Sequence, residues 1–150
     1  MKKNIFKILS IFFIALLFSA CEKKTPTEYA EIHWDRDTCE RCKMILSDRK
    51  HTVQVKNQED NKIYKFDDIG CAILWFKENK ISWKDKAKIW ITDVKTSKWI
   101  DARSAFYDTV HKTPMAYGFS ANEKKESITE KNSEIIDFKE VEKRVLEKGR

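Results

Sequence analysis

Cys39, Cys42 and Met44 place two thiols and a thioether within the stretch Asp37-Thr38-Cys39-Glu40-Arg41-Cys42-Lys43-Met44. Polarizable sulfur favours a soft ion, Cu(I) above all, over hard cations that require oxygen donors. In extended backbone, residues i and i+2 project to one side, so Cys42 and Met44 can meet a single ion. The thiolate cancels the ion's one positive charge and the thioether adds a neutral donor. A third donor is expected from elsewhere, and Met115 is the candidate, set between Pro114 and Gly118 in a loop whose backbone those two residues restrict. His33 and Asp37 precede the cluster closely enough to add a nitrogen or an oxygen. Plainer roles stand beside these: methionine as core filler, and Cys71 as a small buried hydrophobe. Cys71 is otherwise a disulfide partner for Cys39 or a fourth sulfur near the metal. His51 and His111 have no supporting context as ligands.

Other chemistries fit the thiols less well. A c-type haem site needs His directly after the second cysteine, where this chain has Lys43. A closed zinc site wants four nitrogen or sulfur ligands, usually from two separated pairs, and the sequence offers one pair. The serious rival is a membrane-anchored thiol-disulfide oxidoreductase using Cys39 and Cys42, with Arg41 and Lys43 lowering a thiol pKa. Against it, the pair precedes every clear strand rather than following one at a helix start. Hydrolytic and phosphoryl-transfer signatures are missing. There is no Ser-His-Asp pattern, only three glycines, and no pair of carboxylates set as acid and base. Asp67-Asp68 reads as helix capping. No catalytic residue is assigned, and the chain is not expected to be an enzyme.

Export explains the first residues. Met1-Lys2-Lys3, an apolar run from Ile8 to Phe18 and the small residues Ser19-Ala20 before Cys21 describe a secretion signal. The run is too short to span a bilayer, which takes about 20 apolar residues. Phe18-Ser19-Ala20-Cys21 resembles a bacterial lipobox, with Phe18 where leucine is usual. Cys21 is then the lipidated N-terminus of an extracytoplasmic protein, on the periplasmic side of the inner or outer membrane. Losing residues 1–20 removes three lysines and no acid, which lowers the net charge from +6 to +3. That mild, dispersed excess argues against nucleic-acid binding. With Cys21 acylated, three thiols remain. An odd number outside the cytoplasm implies an unpaired thiol or a metal ligand.

The elements that must position these groups follow from periodicity. Residues 1–20 are the signal, 21–30 a flexible tether around Pro26, and 31–150 one domain. Five tryptophans and nine phenylalanines argue against disorder despite 36% charged residues. Alternation at 52–55 and 62–66, with the polar turn 57–61 between, predicts a hairpin. A helix follows from an Asp67 or Asp68 cap to about Asn79, with Ala72, Leu74, Trp75 and Phe76 inward and Gly70 awkward in its first turn. Strands are expected at 88–94 and 97–101, mostly loop over 103–119, a charged helix over 121–131, a short strand at 134–138 and a final helix over 139–148. The order implies an α+β fold of two similar halves, with helices on a small mixed or antiparallel sheet.

The lipobox, the Cys42-Lys43-Met44 segment, Phe66-Asp67-Asp68-Ile69-Gly70 and Thr113-Pro114-Met115-Ala116-Tyr117-Gly118 occur in this order. Together they resemble the NosL family, copper-chaperone lipoproteins that accompany nitrous oxide reductase. The resemblance runs from about His33 to Val141. It implies two ββαβ-like halves and Cu(I) binding outside the inner membrane. It also implies delivery toward the copper–sulfide centre of the reductase and docking to an ABC-type maturation complex. Matched by position, the copper-binding cysteine and methionine fall on Cys42 and Met44 and the later methionine on Met115. Cys39 and Cys71 are additions to that minimal set.

Overall fold

The computed structural model describes residues 28–149. The signal, the lipidation candidate Cys21 and most of the expected tether lie outside them. Strand β1 (Val53–Lys56) pairs antiparallel with β2 (Ile63–Phe66) across the predicted turn, and on its other side with β3 (Lys88–Thr92). Strand β4 (Trp99–Asp101) adds to β3, which gives the order β2-β1-β3-β4, antiparallel throughout. Val53, Val55, Ile89 and Ile91 point to one face, and all four are buried. Period-2 alternation does this automatically. Helix α1 (Ile69–Glu78) covers that face and is itself covered by α2 (Phe138–Lys148), so Ile69 to Phe76 are buried on every side. Among the described residues no helix is long and apolar enough to cross a membrane.

Capping fixes both helices. The Asp68 carboxylate accepts the N–H of Gly70 and starts α1. Asp137 accepts the N–H of Glu140 and starts α2, which ends at Gly149 in the left-handed region (φ 60°). Strand β4 begins two residues later than expected because Ser97 turns at φ 57°, with its N–H on the Asp93 carbonyl (2.8 Å).

The second half departs from expectation. The stretch 103–119, read as loop, contains β5 (Phe106–Asp108), and the predicted charged helix begins instead as β6 (Ser120–Asn122), paired antiparallel with β5. Only one 3₁₀ turn forms beyond it, Lys125–Ser127. Between Glu123 and Asn132 only Ile128 is apolar, so a helix there has no stripe to bury. The expected strand at 134–138 shrinks to a bridge between Ile136 and Tyr107, since Asp137 and Phe138 already belong to the cap and first turn of α2. The result is an α+β fold with a complete ββαβ unit and a lighter second half, joined where the Val94 N–H meets the Ala121 carbonyl (2.9 Å). Packing begins inside the expected tether. Tyr29 packs edge-on against Trp90 and tilted against Trp99, and Ala30 exchanges two hydrogen bonds with the buried amide of Gln54 (2.8 and 3.0 Å).

Candidate metal centre

The sulfur-bearing segment is a tight hairpin. Thr38 bridges Ile45, the Cys39 N–H donates to the Met44 carbonyl (2.8 Å), and Lys43 takes φ 62° at the turn. The Glu40 N–H on the Lys65 carbonyl (2.8 Å) ties this hairpin to β2. Beyond β2 the chain turns at Asp67 and enters α1, whose first turn carries Cys71. Two separate sequence segments therefore face each other, and the ligand atoms of Cys39, Cys42, Asp67 and Cys71 all lie within 4.8 Å of one another. All three thiols are free. Cys39 and Cys71 are fully buried and Cys42 is partly exposed.

Asp67 shows what the cluster can accept. The Cys42 thiol donates to its Oδ2 (3.3 Å), while its buried Oδ1 has no hydrogen-bond partner. A buried carboxylate oxygen without a donor is costly unless something electropositive meets it. Sulfurs about 2.3 Å from a shared tetrahedral ion would stand roughly 3.8 Å apart, inside the cluster's span. Arg41 closes one side, its guanidinium forked onto both oxygens of Glu78 (2.7–3.1 Å).

The thiols are electrostatically unequal. The Cys71 thiol donates to Cys39 and, despite opposing burial, Cys39 is pulled down to about 6, with the Cys42 and Asp67 N–H groups helping. Burial pushes Cys42 up to about 12, with Cys39 beside it adding to the effect. Cys71 is raised by the bond it donates to Cys39 and by burial. Cys39, fully buried like Cys71, is thus the thiol of the cluster that gives up its proton most readily. A dithiol oxidoreductase needs its low-pKa sulfur exposed for attack. Here the low-pKa sulfur is buried, and the accessible thiol is the one pushed up.

Not every expected donor joins these four. Met44 is 48% exposed at the hairpin end. Met115 packs against the core, and its N–H donates to Asp68 Oδ2 (3.2 Å), one residue from Asp67. Thr113 donates to the same oxygen (2.6 Å), so Asp68 binds the Met115 loop to the start of α1. His33 is exposed, and Asp37 accepts Lys65 (2.6 Å) and the His33 N–H (2.9 Å). Neither belongs to the convergent group among the described residues. Asp67, assigned to capping, is the ligand-type residue that sequence reading missed. Its neighbour Asp68 does the capping, and only the fold separates their roles. Cys71 also supplies the thiol whose apparent isolation argued against zinc, and three thiols with a carboxylate meet a closed zinc site's ligand count.

The two histidines without context do form bonds. His51 is buried, with Nδ1 on Asp48 (2.8 Å) and Nε2 on Ser120 Oγ (2.9 Å). These groups have triad connectivity, but Ser120 is fully buried, so its hydroxyl meets no substrate. His111 Nδ1 rests on Asp108 (2.6 Å).

The NosL family model matches residues 31–146. Among solved structures, the crystal structure of the copper chaperone NosL from Shewanella denitrificans superposes with a TM-score of 0.57 at 14% identity, covering 77% of this chain and 96% of that one. At that identity the likeness speaks for the fold. No curated protein matches the chain by sequence.

Proposed function

We propose that this chain, which belongs to the NosL family, is an extracytoplasmic Cu(I) metallochaperone, tethered through a lipid on Cys21. It hands copper toward the copper centre of nitrous oxide reductase, through the ABC-type complex that matures it. The convergence of three thiols and the Asp67 carboxylate within 4.8 Å, with one buried oxygen of that carboxylate lacking a hydrogen-bond partner, is the observation that carries the reading. Copper here is cargo. Cys42, the partly exposed thiol of the cluster, receives and releases it, with exposed Met44 and partly buried Met115 as thioether donors. Cys39 supplies thiolate charge from behind, and His33 and Asp37 are auxiliary groups on the approach. Exposed soft donors suit exchange, since an incoming partner's ligands can displace them singly, while thiolates discriminate against hard cations. Tethering raises the local concentration at membrane partners, so modest contacts suffice for handover.

Competition with a coloured Cu(I) chelator under reducing conditions tests this. Wild-type protein should take up one Cu(I), and Cys42→Ser should lose at least 100-fold in affinity with its circular dichroism unchanged. Met44→Ala and Met115→Ala should each lose less. Equal affinity in Cys42→Ser, or tight Zn²⁺ binding with no Cu(I) preference, would overturn the copper assignment. Copper-independent turnover of a model disulfide would favour the oxidoreductase.

A further inference from the structure

On the sheet edge away from the sulfur cluster, Trp90 of β3 and Trp99 of β4 wall a cavity of about 280 Å³, whose polar lining is Asp101, Ser104 and Glu123. Tyr29 contacts both rings, 5.8 Å from Trp90 and 5.6 Å from Trp99, without lining the cavity. Aromatic faces carry negative quadrupole potential, and rings beside carboxylates form the environment that holds ammonium groups. Asp101 Oδ1 accepts the N–H groups of Arg103 (2.8 Å) and Ser104 (3.2 Å), which fixes the carboxylate in place. Its Oδ2 has only Lys88 near, at 3.9 Å, beyond hydrogen-bond reach. The Glu123 carboxylate has no hydrogen bond or ion pair among the described residues. Arg103 is turned away, its guanidinium on the Lys84 carbonyl and over Phe138. The Lys88 ammonium stands 5.7 Å from the Trp90 ring centroid without lining the cavity.

We propose that this cavity binds an organic ammonium group, held by the Trp90 and Trp99 rings and the Asp101 and Glu123 carboxylates. Two sources share that chemistry: a phospholipid headgroup of the ethanolamine or choline type, and a free amine. The chain's course favours the headgroup. Cys21 precedes Tyr29 by eight residues, at most about 28 Å of extended chain, so an acyl group on Cys21 keeps this edge close to a bilayer. That preference rests on the tether reading, whereas the ammonium site does not. A headgroup seated here leaves the β2 edge, with the sulfur hairpin, facing away from the lipid.

Tryptophan fluorescence of the full chain, titrated with choline and with ethanolamine, tests the site. A saturable change is expected, and none with 3,3-dimethylbutan-1-ol, the uncharged isostere of choline. D101N/E123Q should weaken binding at least tenfold, and Lys88→Met, which removes the cation 3.9 Å from Asp101 Oδ2, should tighten it two- to fivefold. An equal response to the uncharged isostere, or unchanged binding in D101N/E123Q with native circular dichroism, would overturn the proposal. Acrylamide quenching in vesicles identifies the source. Shielding by ethanolamine-headgroup lipid over glycerol-headgroup lipid, lost in Trp99→Phe, supports the lipid; binding in solution with equal quenching in both vesicles supports a free amine. The mass of the N-terminal peptide reports acylation of Cys21 separately. An unacylated chain that still binds choline would remove the tether and keep the site.

Discussion

A side chain at Gly70 has nowhere to go, because an added Cβ would fall within the ring of Tyr117, itself buried. The residue that looked misplaced in a first helical turn is there so that this ring can lie flat on the start of α1. Gly70→Ala should therefore destabilise the fold by about 1–3 kcal/mol through overpacking, despite alanine's better helix propensity. Urea denaturation measures it, and Tyr117→Leu in the same background should restore part of the loss. A stabilised Gly70→Ala would show that the ring moves freely. The same scale decides which ligands are readable from sequence. Cys39 and Cys42 declare themselves by spacing. Cys71 and Asp67 do not, because their role arises only when the chain turns after β2 and lays α1's first turn against the hairpin.

Among the elements, the loop carrying Met115 hangs on one buried carboxylate. Asp68 accepts from Gly70, Thr113 and Met115 together, so helix cap and loop clamp are one group. Burial pushes its carboxyl above the usual carboxylate range even as these donors oppose it. Asp68→Ala should cost about 2–4 kcal/mol from the lost cap and stranded buried donors. Added to it, Thr113→Val should cost less than it does alone, since the two share one bond and only the Gly118 N–H on Thr113 Oγ1 (3.2 Å) is lost besides. Additive losses in a urea double-mutant cycle would refute the shared clamp. With Met115 as the proposed thioether donor, Asp68→Ala should also weaken Cu(I) binding by freeing its loop. Elements with periodic apolar faces (β1, β2, α1, β3, α2) were legible within a residue or two, because burial alone decides them. Strands β5 and β6 were not. Each is three residues long, and partner register rather than local pattern makes them strands.

The whole molecule depends on how its halves stay in register. The thiol cluster belongs to the first half and Met115 to the second, so a shared site requires the sheets to hold still against each other. Beside the Val94–Ala121 bond, the Glu123 N–H on Asp93 Oδ2 (2.8 Å) and the Asp68 clamp, His51 is a further cross-connection, reaching from the Asp48 corner before β1 to Ser120 in β6. The bond from His51 holds the Asp48 carboxyl below its usual range, against partial burial and with the Lys50 N–H assisting. An acid whose folded pKa is depressed stabilises the fold fully above its unfolded value, about 3.9. That stability disappears as pH falls through the lower folded value. Asp48→Asn should therefore destabilise the protein fully above about pH 5, and the gap from wild type should narrow toward pH 3. Urea midpoints of both proteins at pH 6 and pH 3 measure this. A gap that stays constant with pH would mean that the Asp48–His51 bond does not couple the halves through its charge, leaving the buried Ser120 contact and sheet packing to hold the site together.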